Sequence, residues 1–357
     1  MPKSFCGARW VFAPLLLLVT LALPSCSEDA NGPTSPAAPS LAVRVQPPGL
    51  AAALAAQARH TERLLRTEGI VGTAVGLLAD GSAAVQIFTK TARVRGLPPN
   101  LDGVPVSVVV TGDIRAIPAS AVRPAATTRI NRTAKFARPV PIGVSTGNQG
   151  QCSAGTISAR VKSGSTYYAL SNNHVYALEN KAKIGSNVLQ PGRYDLNCAS
   201  GSGDEIGTLS KFVTITFSTT ASNKVDAAIA LSSTSKLGRS TPADGFGTPS
   251  ATTTSAALNQ AVQKYGRTTG LTKGSVVGIN ATINVSYSSG TARFVGQVVI
   301  LGSGQFSRAG DSGSLIVTNN ANKRPVGLLF AGSSNGYTFA NLIGAVLQAL
   351  GVTIDGT

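Results

Sequence analysis

The chain has 357 residues, 31 Lys and Arg against 15 Asp and Glu, a formal charge of +16, and charged residues at only 13%. The length exceeds one ordinary domain and falls short of three, and an apolar content of 43% is enough for a substantial core. The wealth of Gly, Ser, Thr, Ala and Val suits a β-rich exported protein rather than a helical one. From residue 139 onward basic residues outnumber acidic ones by 16 to 8. No arginine-rich helix or aromatic stacking platform accompanies them, so they read as a cationic surface, and no specific nucleic acid is expected as a partner.

Lys3 and Arg9 flank the start of an apolar run, Trp10 to Leu23, that is too short to span a bilayer. Residues 1–25 therefore read as a signal peptide. Leu23-Pro24-Ser25-Cys26 resembles a bacterial lipobox, which implies a lipid anchor on Cys26; ordinary signal cleavage is the alternative. Ser27 leans toward the outer membrane or cell surface for the anchored form. Cys6 leaves with the signal, and Cys152 and Cys198 remain as an even pair in an oxidising compartment. They form either two buried thiols or, as the compartment favours, a bridge closing a loop of about 47 residues that stabilises by about 4 kcal/mol.

Residues 26–47 are rich in Ser, Pro, Ala and Gly and read as a disordered tether. Residues 48–113 read as a small α+β domain. Leu50, Leu54, Thr61 and Leu65 recur at helical spacing, with Arg59, Glu62, Arg63 and Arg66 for the wet side. Strands follow over 70–78, 84–89 and 106–110, with Asp80-Gly81 as a hairpin signal between the first two. Residues 114–138 carry six basic residues, no acid after Asp113, and several prolines and alanines, which describes an exposed basic linker open to nicking. From residue 139 short apolar or alternating runs recur between Gly, Ser, Asn and Thr clusters, an all-β pattern of sandwich or barrel type. Only Asn341 to Leu350 looks helical.

Gly310-Asp311-Ser312-Gly313-Ser314 is the strongest single chemical signal. A nucleophilic serine needs its oxygen exposed on a tight turn with backbone N–H groups nearby, and flanking glycines permit that turn. Ser312 is the candidate nucleophile, and the N–H groups of Gly310 and Ser312 are the candidate oxyanion donors. A serine needs a base, and the chain has two histidines. His60 lies among arginines on the first helix and reads as a surface residue, whereas His174 ends an apolar strand. Of the acids between His174 and Ser312, only Asp226 opens an apolar strand, where a carboxylate needs a partner. Glu179, Asp195, Asp204, Glu205 and Asp244 read as solvated loop acids, and Asp311 as a residue that shapes the turn. Two histidines and two remaining cysteines form no convincing metal set, and no cofactor is expected.

His before Asp before Ser, separated by 52 and 86 residues, resembles the chymotrypsin/trypsin-like serine protease family. Five ordered segments carry the resemblance: residues 168–175, 224–231, 307–314, the Gly266-Arg267-Thr268-Thr269-Gly270 turn, and 325–332. They are similar to secreted bacterial members such as streptogrisins and α-lytic protease. The resemblance implies two antiparallel six-stranded β-barrels of chymotrypsin type with a C-terminal helix over 139–357. It also implies a catalytic set of His174, Asp226 and Ser312 and a primary pocket at Phe306, Phe330 and Gly332. Members of this kind are made with a propeptide, so residues 48–113 are either a propeptide removed in the 114–138 linker or an accessory domain that stays attached. Val175 stands where the family often has a cysteine, and Asn172-Asn173 replaces its usual small residues. The expected function is an exported serine endopeptidase acting on protein or peptide substrates. The alternative is a surface-anchored binding module without turnover.

Overall fold

The computed structural model describes residues 46–116, 130–199 and 203–357. The expected signal segment, Cys26, almost all of the tether, and linker residues 117–129 lie outside the described residues. Among the described residues no helix is long and apolar enough to cross a membrane.

An Ala-rich segment forms helix α1 (Leu50–Leu64). Its buried stripe is Ala53, Ala56, Gln57, Thr61 and Leu64, rotated from the expected leucine stripe. Alanines at the centre let the helix lie close on the sheet, while Leu50, Leu54 and Leu65 pack at its borders. Strands β1 (Ile70–Leu77) and β2 (Ala83–Thr89) form the hairpin expected from Asp80-Gly81. β3 (Asn100–Leu101) leads into β4 (Val104–Val110), which lies parallel to β2. A two-residue strand, β5 (Ile114–Arg115), ends this module.

The first barrel uses β6 (Ser145–Asn148), β7 (Gly155–Thr156), β8 (Ala159–Ser163) and β9 (Thr166–Ser171). After the short helix α2 (Asn173–Tyr176) come β10 (Asn187–Leu189), β11 (Glu205–Phe212) and β12 (Ala228–Ser232). Their order is β8-β9-β12-β11-β10-β6-β7. β7 runs on through Ile157 and Ser158 into β8, so six strand lines close on themselves. Val144, Ile157, Val161, Leu170, Ile206 and Ile229 fill the interior.

The second barrel uses β13 (Ala261–Gly266), β14 (Gly270–Tyr287), β15 (Gly290–Gly302), β16 (Leu315–Thr318), β17 (Pro325–Ser333) and β18 (Thr338–Leu342). β13 pairs with both β14 and β16, which closes six strands. These two closed antiparallel barrels are the chymotrypsin-type architecture that the motifs implied. Helix α3 (Ile343–Leu350) follows, and β19 (Thr353–Ile354) returns to β8. The helix begins later than its sequence pattern suggested: Asn341 is still in β18, fully buried, where its side chain is needed.

The β14–β15 hairpin is longer than the barrel requires, and the N-terminal module is built on it. β1 pairs antiparallel with β14 through Gly72↔Ile283 and Thr73↔Thr282, so one sheet runs from the module into the second barrel. Val71, Phe88, Ile283 and Phe294 share an apolar cluster across that junction. β5 inserts between the barrel's own strands, with Arg115 opposite Ser286 of β14 and Gly332 of β17.

Candidate active site

His174 lies where β9 leaves the first barrel. Asn172 is extended, and the chain then turns into α2. The two asparagines that depart from the family pattern are both buried and both employed. Asn172 Nδ2 donates to the Asp226 carbonyl at 2.8 Å, and Asn173 Nδ2 donates to the Val213 carbonyl at 2.7 Å. They tie the turn to neighbouring segments of the same barrel.

Asp226 precedes β12 and is fully buried. A lone buried carboxylate is costly, and this one is well served. The His174 backbone N–H donates to Oδ1 at 3.1 Å, His174 Nδ1 lies 2.6 Å from Oδ2, and the Tyr287 hydroxyl donates to Oδ2 at 2.9 Å. A carboxylate beside Nδ1 makes that nitrogen the donor and leaves Nε2 as the acceptor in the neutral ring. His174 Nε2 is buried and makes no hydrogen bond among the described residues. The Asp226 N–H donates to Asn341 Oδ1 at 2.9 Å, and Asn341 Nδ2 donates to Gln297 Oε1 at 2.7 Å. The backbone bearing the carboxylate is thereby anchored to the second barrel.

Ser312 sits on a turn between left-handed glycines, Gly310 at φ 93° and Gly313 at φ 96°. The Asp311 carboxylate, one residue before the serine, points inward. It accepts from the N–H groups of Arg308 (2.9 Å), Thr268 (2.8 Å) and Thr269 (3.2 Å) and from Thr269 Oγ1 (2.7 Å). Lys264 Nζ lies 3.5 Å from it, and both side chains are fully buried. Burial holds the Lys264 ammonium below the usual lysine range, against the pull of Asp311. The N–H groups of Asp311, Gly313 and Ser314 are bonded to Arg308, Leu329 and Asp311 carbonyls. Those of Gly310 and Ser312 have no acceptor among the described residues.

The serine turn packs directly on the strand end that carries His174. The Thr156 N–H donates to the Ser312 carbonyl at 2.8 Å. A Cβ added to Gly155 would come 2.6 Å from a Val175 methyl and 3.0 Å from that carbonyl. One added to Gly313 would come 2.2 Å from the Thr156 carbonyl and 2.4 Å from Ser171 Oγ. Glycine at both positions lets the two barrels approach here.

Other expectations are revised. Phe306 is fully buried in the second barrel's interior with Val276, Ile300 and Ile316, and its ring lies 5.9 Å from Lys264 Nζ. It is a core residue and no pocket floor, because its side chain falls on the inward side of the chain entering the serine loop. Phe330 is fully buried too, with its ring 4.8 Å from Phe294, in the cluster that also takes Ile114 and Ala116 of the module's tail. Gly332 is partly exposed and pairs through its backbone with Arg115. Three acids read as solvated have covered side chains and partners. Arg267 Nε lies 2.8 Å from Asp195, Lys135 Nζ lies 2.7 Å from Asp204, and Glu179 accepts from Ser288 and Ser289. Their partners come from distant segments, which no local pattern reveals. His60 stays on α1, 2.9 Å from Asp102, and takes no part in the site. Cys152 and Cys198 form a disulfide with Cα atoms 5.0 Å apart. Tyr287, Asn341 and Gln297 had no signal in the sequence, because each acts across the fold.

A family described as the Nal1 C-terminal domain matches residues 249–348. No curated protein matches the chain. Among solved structures the chain is similar to Thermobifida fusca Protease A, with 18% identity over 61% of this chain and 99% of that one, at a TM-score of 0.44. It is also similar to a Cellulomonas bogoriensis chymotrypsin, with 21% identity over 61% and 99% and a TM-score of 0.42. A Nocardiopsis protease matches with 18% identity over 60% and 98% and a TM-score of 0.43.

Proposed function

We propose that this chain is an exported serine endopeptidase using Ser312, His174 and Asp226, with its N-terminal module as a propeptide. The observation that carries the reading is the pairing of a buried, oriented His174–Asp226 couple, its Nε2 unbonded, with a serine turn whose Gly310 and Ser312 N–H groups are unemployed. In this reading Ser312 Oγ attacks the scissile carbonyl and gives its proton to His174 Nε2. Asp226 holds the Nδ1–H and stabilises the imidazolium. The two free N–H groups receive the oxyanion. As the tetrahedral intermediate collapses, the imidazolium protonates the leaving amine. Water then hydrolyses the acyl-enzyme by the same route. No step calls for a metal or cofactor.

Backbone pairing of β5 with Gly332 and Ser333 supports the propeptide role. An antiparallel segment added to the end of β17 is the way an extended peptide substrate adds to a sheet edge. The next residues enter the basic stretch where nicking is expected. The disulfide supports an oxidising, extracytoplasmic setting. Lipidation of Cys26 belongs to the same proposal, and mass spectrometry of the membrane fraction tests it.

The decisive test is a fluorophosphonate probe on the full chain and on material nicked between residues 116 and 130. Labelling that appears or rises on nicking and vanishes in Ser312→Ala is the expected result. No labelling of any form would overturn the enzyme reading and favour a binding module on a protease-like scaffold.

A further inference from the structure

We infer that Tyr287 is a positioning residue of this site, carried from the second barrel to the first by the β14–β15 hairpin to fix the Asp226 carboxylate that orients His174. The inference rests on the Ser-His-Asp reading above. Tyr287 is the last residue of β14, paired with Gly290 at the hairpin tip. The hairpin belongs to the second barrel, yet its tip reaches a carboxylate of the first.

The bond falls on the oxygen that matters. Tyr287 Oη is 2.9 Å from Asp226 Oδ2, the same oxygen that lies 2.6 Å from His174 Nδ1. A carboxylate oxygen accepts two such donors, and the His174 N–H engages the other oxygen at 3.1 Å. With three donors from two directions the carboxylate has one orientation. Charge-assisted bonds of this kind are the stronger class.

The ring and the tip are held independently of that bond. The Tyr287 ring meets His174 edge-on with centroids 6.0 Å apart, meets Phe217 at 5.6 Å, and lies 6.1 Å from Phe294. Just beyond it, Glu179 accepts from the Ser288 N–H at 3.1 Å and the Ser289 N–H at 2.7 Å. Glu179 lies five residues after His174, so a carboxylate next to the histidine turn clamps the tip that delivers the hydroxyl. Burial, then Asp226 and Glu179, hold the Tyr287 phenol well above its ordinary range. It therefore remains a donor wherever a serine protease works. The titratable and charged groups around this arrangement are His174, Asp226 and Glu179, with Lys181 Nζ 3.9 Å from Glu179 and exposed Arg115 paired with Ser286.

The hydroxyl also withdraws charge from the oxygen facing Nδ1. Its removal leaves Asp226 a stronger acceptor and raises the proton affinity of His174, so the acid limb of the pH profile moves upward. Processed wild type, Tyr287→Phe and Glu179→Gln are compared by kinetics and by the proton NMR resonance of the His174 Nδ1–H. For Tyr287→Phe, kcat is expected to fall about tenfold or more with KM within about twofold, as when a bond to a charged group is lost. The acid limb rises, and the Nδ1–H resonance moves. Glu179→Gln moves the same readouts less, and the double variant is no worse than Tyr287→Phe alone. A Tyr287→Phe protein with the wild-type pH profile and resonance overturns the inference. If Tyr287→Phe does not fold, Glu179→Gln decides, and an unmoved resonance there overturns it equally. Wild type that ignores the fluorophosphonate sinks the enzyme reading instead, while the resonance still tests the tyrosine.

Discussion

The two barrels hold their halves of the site by different physics. In the first, Asp226 and His174 are positioned mainly by neutral groups: Asn172 on the Asp226 carbonyl, Asn341 on its N–H, and Tyr287 on its carboxylate. In the second, the serine turn is positioned by buried charge. Asp311 gathers three N–H groups and a hydroxyl above the Lys264 ammonium, and Arg267 next to that network pairs with Asp195. Neutral amide bonds are directional and individually modest, so one can be lost while the rest persist. A buried ion pair contributes little net stability while whole, but breaking it leaves an uncompensated charge. The histidine-bearing barrel should therefore degrade by degrees, and the serine-bearing barrel abruptly.

The largest effect is expected at Lys264. Lys264→Met leaves the Asp311 carboxylate without its cation and should cost about 3–5 kcal/mol, read as a lower urea midpoint. Adding Asp311→Asn to that variant should return part of the loss. If Lys264→Met alone melts like wild type, the charged account of the serine turn fails. Asn341→Ala should come next, at about 1–3 kcal/mol, since it strands the buried Asp226 N–H and the Gln297 carbonyl oxygen. Its mark should be a smaller midpoint shift and reduced turnover without loss of fold. A loss as large as that of Lys264→Met would erase the contrast between the barrels.

The smallest effect at working pH concerns buried phenols. Burial raises Tyr176 and Tyr287 above the ordinary tyrosine value of 10.0. A raised folded value means the unfolded chain loses its phenol protons first as pH increases. The contribution of these phenols is complete below pH 10 and is lost as pH rises through the higher folded values. Urea unfolding at pH 8 to 11 should show a flat region and then a decline. Tyr176→Phe should blunt that decline, and a decline of unchanged size would remove the first barrel from this account.

Local chemistry was readable where it depends on neighbours in the chain. The Asp80-Gly81 hairpin, the strand before His174 and the glycine-flanked serine turn all follow from short-range constraints. Asp226 stood out because a carboxylate at the head of an apolar strand needs a partner, and the fold puts His174 Nδ1 2.6 Å from it. The reading of Phe306 failed for an equally physical reason. Whether a side chain at the mouth of a barrel faces in or out depends on how the loop enters, and here it turns into a core with Lys264. Asp195, Asp204 and Glu179 were misread because burial of an acid depends on a cation or N–H group supplied from far along the chain.

By itself the sequence determined a β-rich region with one histidine at a strand end, one strand-borne aspartate and one glycine-flanked serine turn, and the resemblance those segments carry implied the two barrels. Periodicity, turn residues and the scarcity of histidine are properties of the chain alone. Only the tertiary structure decided that the hairpin over 270–302 would carry the N-terminal module at its flank and Tyr287 at its tip. Strand alternation says which face a residue takes and nothing about what lies opposite it. The tyrosine meets Asp226 because barrel closure and the Glu179 clamp bring together groups 61 residues apart.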